Sequence, residues 1–592
     1  MSVEWASGAQ VRAGDALSIV AVAMRRRAFV LVIALTVGGL AAWLATLLAT
    51  DGLGLVDLGL VVAFLIYEPW HALGFWNSLL GFALLHGTRD MLGRVIPPAV
   101  QAHDDDPIVL RTAIVMTVRN EPPARPFAHL RATMESVTAA DPDAAIDYHI
   151  LSDSSDPAVI AAEEQAFAAW HAALAVPSRL NYRRRADNVG FKGGNVHEFC
   201  ERCIDRYDLL IPLDADSLMS GAMIMRLIRI MQANPQLGIL QTLAVGLPTT
   251  NPFGRIFQFG HRHGMRAFVA GAGWWQAERC QFWGHNAAVR LRPFTEDCRL
   301  PILSGAPPLG GRIICHDQVE AVLMHRAGYE VRLLPQEGGS YEGNPPTLPD
   351  YLQRNDRWCQ GNIQNLRLFD LPGISLLSRF HLGFMAQKFI GAAAMLAFVT
   401  LAALACVLWP AEIAVPTRGF GALYALWLVL YFSPKLLGVT DALLREKTRY
   451  GGAGRLLLGA LIETMFILLL APVSSFAAAH SLIMLALGHS VSWGGQQRDG
   501  HRITWRGAWR SLWLPSAYGF GLLALLAFGA PGALAWFLPY LAGLVLAVPG
   551  AVLTASPALG AWLARHRLCA TPEELAPPPE VAAVLPVLHG PA

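Results

Sequence analysis

In "DLLIPLDADS" the chain runs from apolar residues straight into two carboxylates, Asp214 and Asp216, one residue apart. A strand tip holding D-x-D can present oxygen to a divalent cation, which typically takes one or two protein carboxylates and completes its shell with substrate phosphates. The pattern therefore points to a nucleoside diphosphate bound with a metal, although the same residues also suit a turn in which Asp216 or Ser217 caps a helix from about 219. In "NVGFKGGNV", residues 188–196, Lys192 stands among glycines just ahead of a helix. There backbone N–H groups and one ammonium can approach anionic oxygen, but a Gly-rich turn is equally a plain connection.

These residues need a scaffold, and the preceding segments supply one. "TAIVMTVRNE" is an apolar run of strand length ending in Arg119, Asn120 and Glu121, and "IDYHILSDSSD" is a second such run that reaches Asp153. Helical stretches at 126–139 and 157–175 make the order strand, helix, strand, helix, as in a parallel sheet covered on both faces. Ligands collect at the carboxyl ends of such strands, where Glu121, Asp153 and Asp214 fall.

The rest of the composition is of another kind. Of 592 residues 54% are hydrophobic and only 15% charged, too apolar for an ordinary soluble enzyme. The net charge of +2 gives no footprint for nucleic acid. The eight cysteines follow neither a disulfide framework nor a zinc ribbon, and Cys200-x-x-Cys203 has no second half. The run 28–50 follows Arg25, Arg26 and Arg27 and is long enough to cross a bilayer, which needs about 20 apolar residues. A run at 53–85, interrupted by "YEPW", would return the chain to the side of its N-terminus. Segment 1–104 is thus an N-terminal part with two transmembrane helices, and 105–365 is a soluble domain on the cytoplasmic side. Further runs lie at 385–409, 419–441, 456–489, 512–530 and 533–554, within a membrane part assigned to 366–555. A single crossing by 456–489 would put Arg498 to Arg510 outside, so this segment is expected to cross twice or to lie in the interface. Glu463, His480 and Pro472 favour a bent or interfacial element. The Pro-rich tail, 556–592, is expected to be disordered and cytoplasmic. The halves show no repeat, which argues against a secondary transporter.

Asp153, Lys192 before Gly and Asn, Asp214-Ala-Asp216, His316-Asp317 opening a helix and Gln353-x-x-x-Arg357-Trp358 occur in the order seen in processive family 2 glycosyltransferases such as cellulose synthase, and the chain resembles them. "FWGHNAAVR", "HDQVEAVLMHRAGYEV" and "SVSWGGQQRDG" bring it closer still to the glucan biosynthesis glucosyltransferase H family of Proteobacteria, from about residue 60 to 510. This resemblance implies a cytoplasmic GT-A (Rossmann-like) domain inserted between transmembrane helices, an α/β fold joined to an α-helical membrane part. It implies an inverting glucosyltransferase of the bacterial inner membrane that takes UDP-glucose, with Mg2+ or Mn2+, and extends a β-glucan acceptor. The product would be the linear β-1,2-linked backbone of osmoregulated periplasmic glucans, passed through the spans toward periplasmic glucan-processing proteins. A synthase of another β-glycan, such as cellulose or hyaluronan, and a transporter with a vestigial nucleotide domain are the alternatives.

Residue by residue, the resemblance places Asp317 as general base, Asp216 with Asp214 at the metal, and Glu121, Asp153, Lys192 and Asp214 at the donor. "TED" also occurs at 295–297, but Asp297 is followed by loop composition, whereas Asp317 opens a helix ending "HRAGYEV". His316 stands where the family usually has Glu. Gln353 and Arg357 share a helical face; Arg357 can meet the diphosphate, and Trp358 offers a flat apolar face to the acceptor sugar. A juxtamembrane helix with snorkelling Arg and interfacial Trp would account for the same residues. Trp283, His285 and Asn286 are expected at the acceptor. In the gating-like loop 490–500, Trp493, Gln497 and Arg498 are expected to touch bound UDP.

Overall fold

A computed structural model describes residues 13–49, 52–409, 417–491 and 500–589. Its soluble part is built on a seven-stranded sheet. In spatial order the strands are Leu180–Arg184, Ile146–Ser152, Thr112–Val118, Leu209–Asp214, Ala287–Arg290, Leu237–Thr242 and Glu330–Leu334. The first four are parallel, and Ala287–Arg290 runs antiparallel to both its neighbours. The central parallel strands carry apolar residues buried on both faces, Ile114, Val115, Ile150, Leu210 and Ile211 being fully enclosed, whereas the edge strand Leu180–Arg184 is polar and half-buried. A three-stranded sheet of Leu218–Met219, Ser340–Glu342 and Val245–Gly246 sits beyond the tip of Leu209–Asp214.

Among the described residues six helical segments are long and apolar enough to cross a membrane, or up to seven if the bent pair Pro531–Val545 and Ala547–Thr554, which meet at 54°, is one span. The second apolar run is two helices, Leu55–Tyr67 and Pro69–Gly87, broken at Glu68 by the proline that follows. A 25-residue helix, Pro252–Gln276, belongs to the soluble domain yet packs on Pro69–Gly87. The two backbones touch: a Cβ on Gly81 would lie 1.7 Å from the Ala267 carbonyl oxygen, and one on Gly271 would lie 2.0 Å from that of Asn77. Only glycine permits that approach, and it fastens the domain to the membrane helices.

Segment 456–489 forms part of one uninterrupted helix, Ala453–Ala486, with Pro472 inside it. It does not turn back on itself. Along its length it touches elements of the soluble domain: Gly459 meets Phe259, Phe466 packs on Phe253 at 5.2 Å, and Ser481 Oγ donates to Asp356 at 2.5 Å. Its other side meets the bent pair, where Gly543 abuts Pro472.

The tail corrects the expectation of disorder. Residues 557–565, 572–575 and 579–589 are helical, each opening on a proline in the first turn, where proline favours a helix start. Val581 and Val584 are fully buried beside Ala132, Leu218 and Tyr341. Arg262, 2% exposed, holds Glu573 at 3.0 Å and Glu337 at 2.5 Å, and Arg255 holds Glu574 at 2.8 Å. Compositional reasoning missed this because the tail's partners lie some three hundred residues earlier in the chain.

Arg262→Ala leaves Glu573 and Glu337 buried without their shared cation, which is expected to cost about 3–5 kcal/mol. Thermal unfolding in detergent together with limited proteolysis checks this: the tail should be released early, and an unchanged melting temperature would contradict the assignment.

Candidate active site

The site forms where Leu209–Asp214 ends. Lys192, in the first turn of helix Phe191–Cys203, pairs with the Asp214 carboxylate and donates to the Gly284 carbonyl oxygen at 2.8 Å. Gly284 is the hub. Its φ is +83°, and a Cβ there would lie 3.2 Å from Cβ of Asp317, 3.7 Å from Cε1 of His316 and 3.8 Å from Nζ of Lys192. The segment between helix Pro252–Gln276 and strand Ala287–Arg290 thus brings the Gly-rich loop, the D-x-D tip and the start of helix Asp317–Arg326 together. Asp297 ends a different helix, Leu291–Asp297, and faces solvent.

Burial pushes Asp317 above the usual carboxylate range, with His316 and Lys192 opposing and Glu320 reinforcing the shift. Burial alone would lower His316, but Glu320, whose Oε2 lies 2.9 Å from Nδ1, raises it overall.

Beside Asp216 lie two residues absent from the expected set. Gly343 is so close that a Cβ on it would sit 3.0 Å from Asp216 Oδ2. Glu342 is raised by burial and by the Asp216 and Asp214 charges, against the pull of His285 and Arg354. His285 Nε2 is 3.3 Å from Glu342 and its Nδ1 is 3.4 Å from Ser217 Oγ, so His285 belongs to the D-x-D surroundings. Carboxylates that repel one another at a strand tip fit a hard divalent cation shared with ligand oxygens. Among the described residues no group of three or more His, Cys, Asp or Glu could hold a metal unaided.

Other expected residues land differently. Asp153 is gripped by Arg185 through two bonds of 2.7 and 2.8 Å, and Arg185 also donates to the carbonyls of Val189 and Phe191. Asp153 thus orders the Gly-rich loop through Arg185. Glu121 follows strand Thr112–Val118 next to Asn120, whose side-chain oxygen accepts from the Ser155 and Asp156 N–H groups. Asn286 is fully buried and donates to Ser340 Oγ and the Tyr341 carbonyl, each at 3.0 Å. It is a strut between the two sheets, which corrects its placement at the acceptor. Trp283 is half-buried, its N–H donating to Gln241 at 2.9 Å. Trp493, Gln497 and Arg498 lie outside the described residues.

Helix Leu348–Asn365 carries Gln353 exposed, Arg357 buried and Trp358 40% exposed. The Trp358 ring has Arg354 at 4.5 Å and Lys388 at 5.4 Å from its centroid. The helix has a second task that motif spacing did not reveal. Gln364 donates to the Arg312 carbonyl at 2.9 Å and accepts from the Ile314 N–H at 3.0 Å. Asn365 donates to the Cys315 carbonyl at 3.0 Å, and Gln360 to that of Pro308, also at 3.0 Å, while accepting from the Val491 N–H. These buried amides hold the backbone leading to His316 and Asp317. Buried polar residues on one face of a helix were the available signal.

Gln364→Leu strands two buried backbone groups, at about 1–3 kcal/mol each. Hydrogen exchange is expected to rise across residues 308–316 while helix Leu348–Asn365 stays protected; unchanged exchange there would contradict the brace.

Residues 209–491 match the family model described as glycosyl transferase family group 2. A relative from Ralstonia nicotianae, named glucans biosynthesis glucosyltransferase H, is 35% identical over 581 residues, covering 95% of this chain and 67% of its own. One of the same name from Pseudomonas entomophila is 36% identical over 556 residues, covering 90% and 64%. The chain spans about two thirds of the length of these relatives. A solved mannosyltransferase from Pyrobaculum calidifontis, in complex with GDP-Man and Mn2+, aligns at a TM-score of 0.36 with 15% identity, over 62% of this chain and 99% of that one, too distant to carry weight. By its identity to the Ralstonia relative and the extent of that match, the chain belongs to the glucans biosynthesis glucosyltransferase H family.

Proposed function

We propose that the protein is an inverting, UDP-glucose-dependent glucosyltransferase that builds the linear β-1,2-glucan backbone of osmoregulated periplasmic glucans from a cytoplasmic GT-A type domain at the bacterial inner membrane. The observation that carries this reading is the convergence of Asp317, Lys192 and the Asp214–Asp216 tip around Gly284. The donor and its linkage rest on the relatives' name and on the resemblance.

In this reading an acceptor hydroxyl attacks the anomeric carbon from the face opposite UDP. The new C–O bond forms as the bond to the diphosphate breaks, and Asp317 takes the hydroxyl proton. Its raised affinity for protons suits a base that must hold one at the end of the step. Lys192 and Arg357 offset the charge that gathers on the leaving diphosphate. A divalent cation, Mg2+ or Mn2+, held by Asp216 with Asp214 and Glu342 alongside, would supply further positive charge there. Trp358 presents its ring to the acceptor sugar, with Arg354 and Lys388 flanking it.

Passage of the product through the spans is supported by a cavity of about 380 Å³ among the apolar helices, with Tyr67, Phe398, Trp427, Tyr431, Trp536 and Tyr540 in its wall. Such rings can stack on sugar faces, although they equally fill helix packing. Helix Ala453–Ala486 packs on the apolar helix Leu376–Leu408 and also touches the domain, and an interfacial course for it would keep residues 500–510 on the domain's side.

Asp317→Asn is expected to lower UDP release from UDP-glucose by about 10²–10⁴-fold with donor binding retained; equal turnover would remove Asp317 as base. Because Asp317 must be ionised to accept a proton, turnover should rise with pH through its raised value. Lys192→Gln removes a cation that holds that value down, so the acid limb of the rate profile should move to higher pH. Trp358→Ala should weaken use of an oligosaccharide acceptor about tenfold without altering donor KM.

A further inference from the structure

Helix Trp505–Gly529 begins "WRGAWRSLW", in which Trp505, Trp509 and Trp513 recur every fourth residue and so share a face. That face is bare, the three rings being 62%, 56% and 48% exposed, whereas Ala508 and Leu512 on the other side are buried in the cluster with Phe253 and Tyr450. Arg502, Arg506 and Arg510 repeat with the same period and are all exposed. Among the described residues none of the three pairs with a carboxylate.

The position of this stripe is fixed from both ends. Immediately before it, Gly500 lies against Asn251 and His501 Nε2 is 3.8 Å from Asp350, both in the soluble domain. Beyond it the exposed surface turns wholly apolar, with Phe520 and Phe528 bare on the continuing helix. The first turns of the helix therefore stand where the apolar slab meets water on the domain's side. From Trp505 to Trp513 the helix rises about 12 Å, enough to cross a headgroup layer roughly 5–8 Å thick. Tryptophan favours that level, and a guanidinium fork matches phosphate oxygens in pairs.

We propose that this W-R-x-x-W-R-x-x-W stripe binds anionic phospholipid headgroups, the lipid phosphates meeting Arg502, Arg506 and Arg510 and the acyl chains following the tryptophan face. A bilayer lipid is the fitting occupant because exposed charge and rings at interfacial depth lead into a hydrocarbon-facing surface along this helix and the residues just before it. Each arginine near an anionic surface is expected to add about fivefold to the affinity, and the three together about a hundredfold. The proposal stands apart from the catalytic reading, since none of these residues belongs to the site around Gly284.

The test reconstitutes the full chain in nanodiscs of phosphatidylcholine with or without phosphatidylglycerol. Phospholipid retained after detergent extraction is then counted by native mass spectrometry. Wild type should retain phosphatidylglycerol in preference to phosphatidylcholine. R502Q/R506Q/R510Q should lose that preference while its melting temperature in detergent stays unchanged. If the triple variant melts early, R506Q alone serves, with an expected fivefold weakening. Equal retention of the two lipids by wild type, or an undiminished preference in the variants, would overturn the proposal. Displacement of the lipid by inorganic phosphate would also overturn it, because the stripe would then be a site for free anions.

Discussion

Everything at this site depends on where the backbone of residues 308–316 is held, and that is set by the buried amides of helix Leu348–Asn365. Gln364 takes both a carbonyl and an N–H from the loop, and Asn365 and Gln360 take further carbonyls. In a low-dielectric interior such bonds are costly to leave unmade, so the loop has one favourable path. The same helix presents Arg357 and Trp358 and lies against Ala453–Ala486. The backbone leading to Asp317 and the side chains of Arg357 and Trp358 are therefore referred to one rigid element that rests on the membrane part.

A second constraint runs through helix Pro252–Gln276. On one side its glycines let it touch Pro69–Gly87 backbone to backbone; on another its buried Arg255 and Arg262 collect the acidic tail. The tail in turn packs Val581 and Val584 behind Ser340–Glu342, the strand whose Glu342 faces the D-x-D tip. Burying ion pairs is rarely a net source of stability, and their worth here is geometric: each fixes which element meets which.

Part of the site's arrangement was legible in the amino-acid sequence. Carboxylates at the end of an apolar strand, a lysine among glycines and an aspartate opening a helix are local patterns, and Asp214, Lys192 and Asp317 do converge. What was not legible is what depends on distant contact. Asn286 is expected at the acceptor, yet it is a strut because Ser340 and Tyr341 come to it from more than fifty residues away. Asp153 is held by Arg185 from a neighbouring strand end, and Gln360, Gln364 and Asn365 bond to a loop some fifty residues before them. The tail's prolines suggest disorder, though Pro557, Pro572 and Pro579 stand in the first turns of helices. Segment 456–489 is ambiguous because its composition suits both a crossing and an interface, and its contacts with Phe253, Phe259 and Asp356 come from residues more than a hundred positions away.

The central claim is that a single displacement occurs at the site around Gly284. The most direct measurement is the stereochemical course: proton NMR of the first product formed from UDP-glucose, whose donor linkage is α. A β-configured glucoside appearing without an α-configured precursor is the predicted result. A product that keeps the α configuration would contradict a single base at Asp317 and require a different arrangement of the reacting groups.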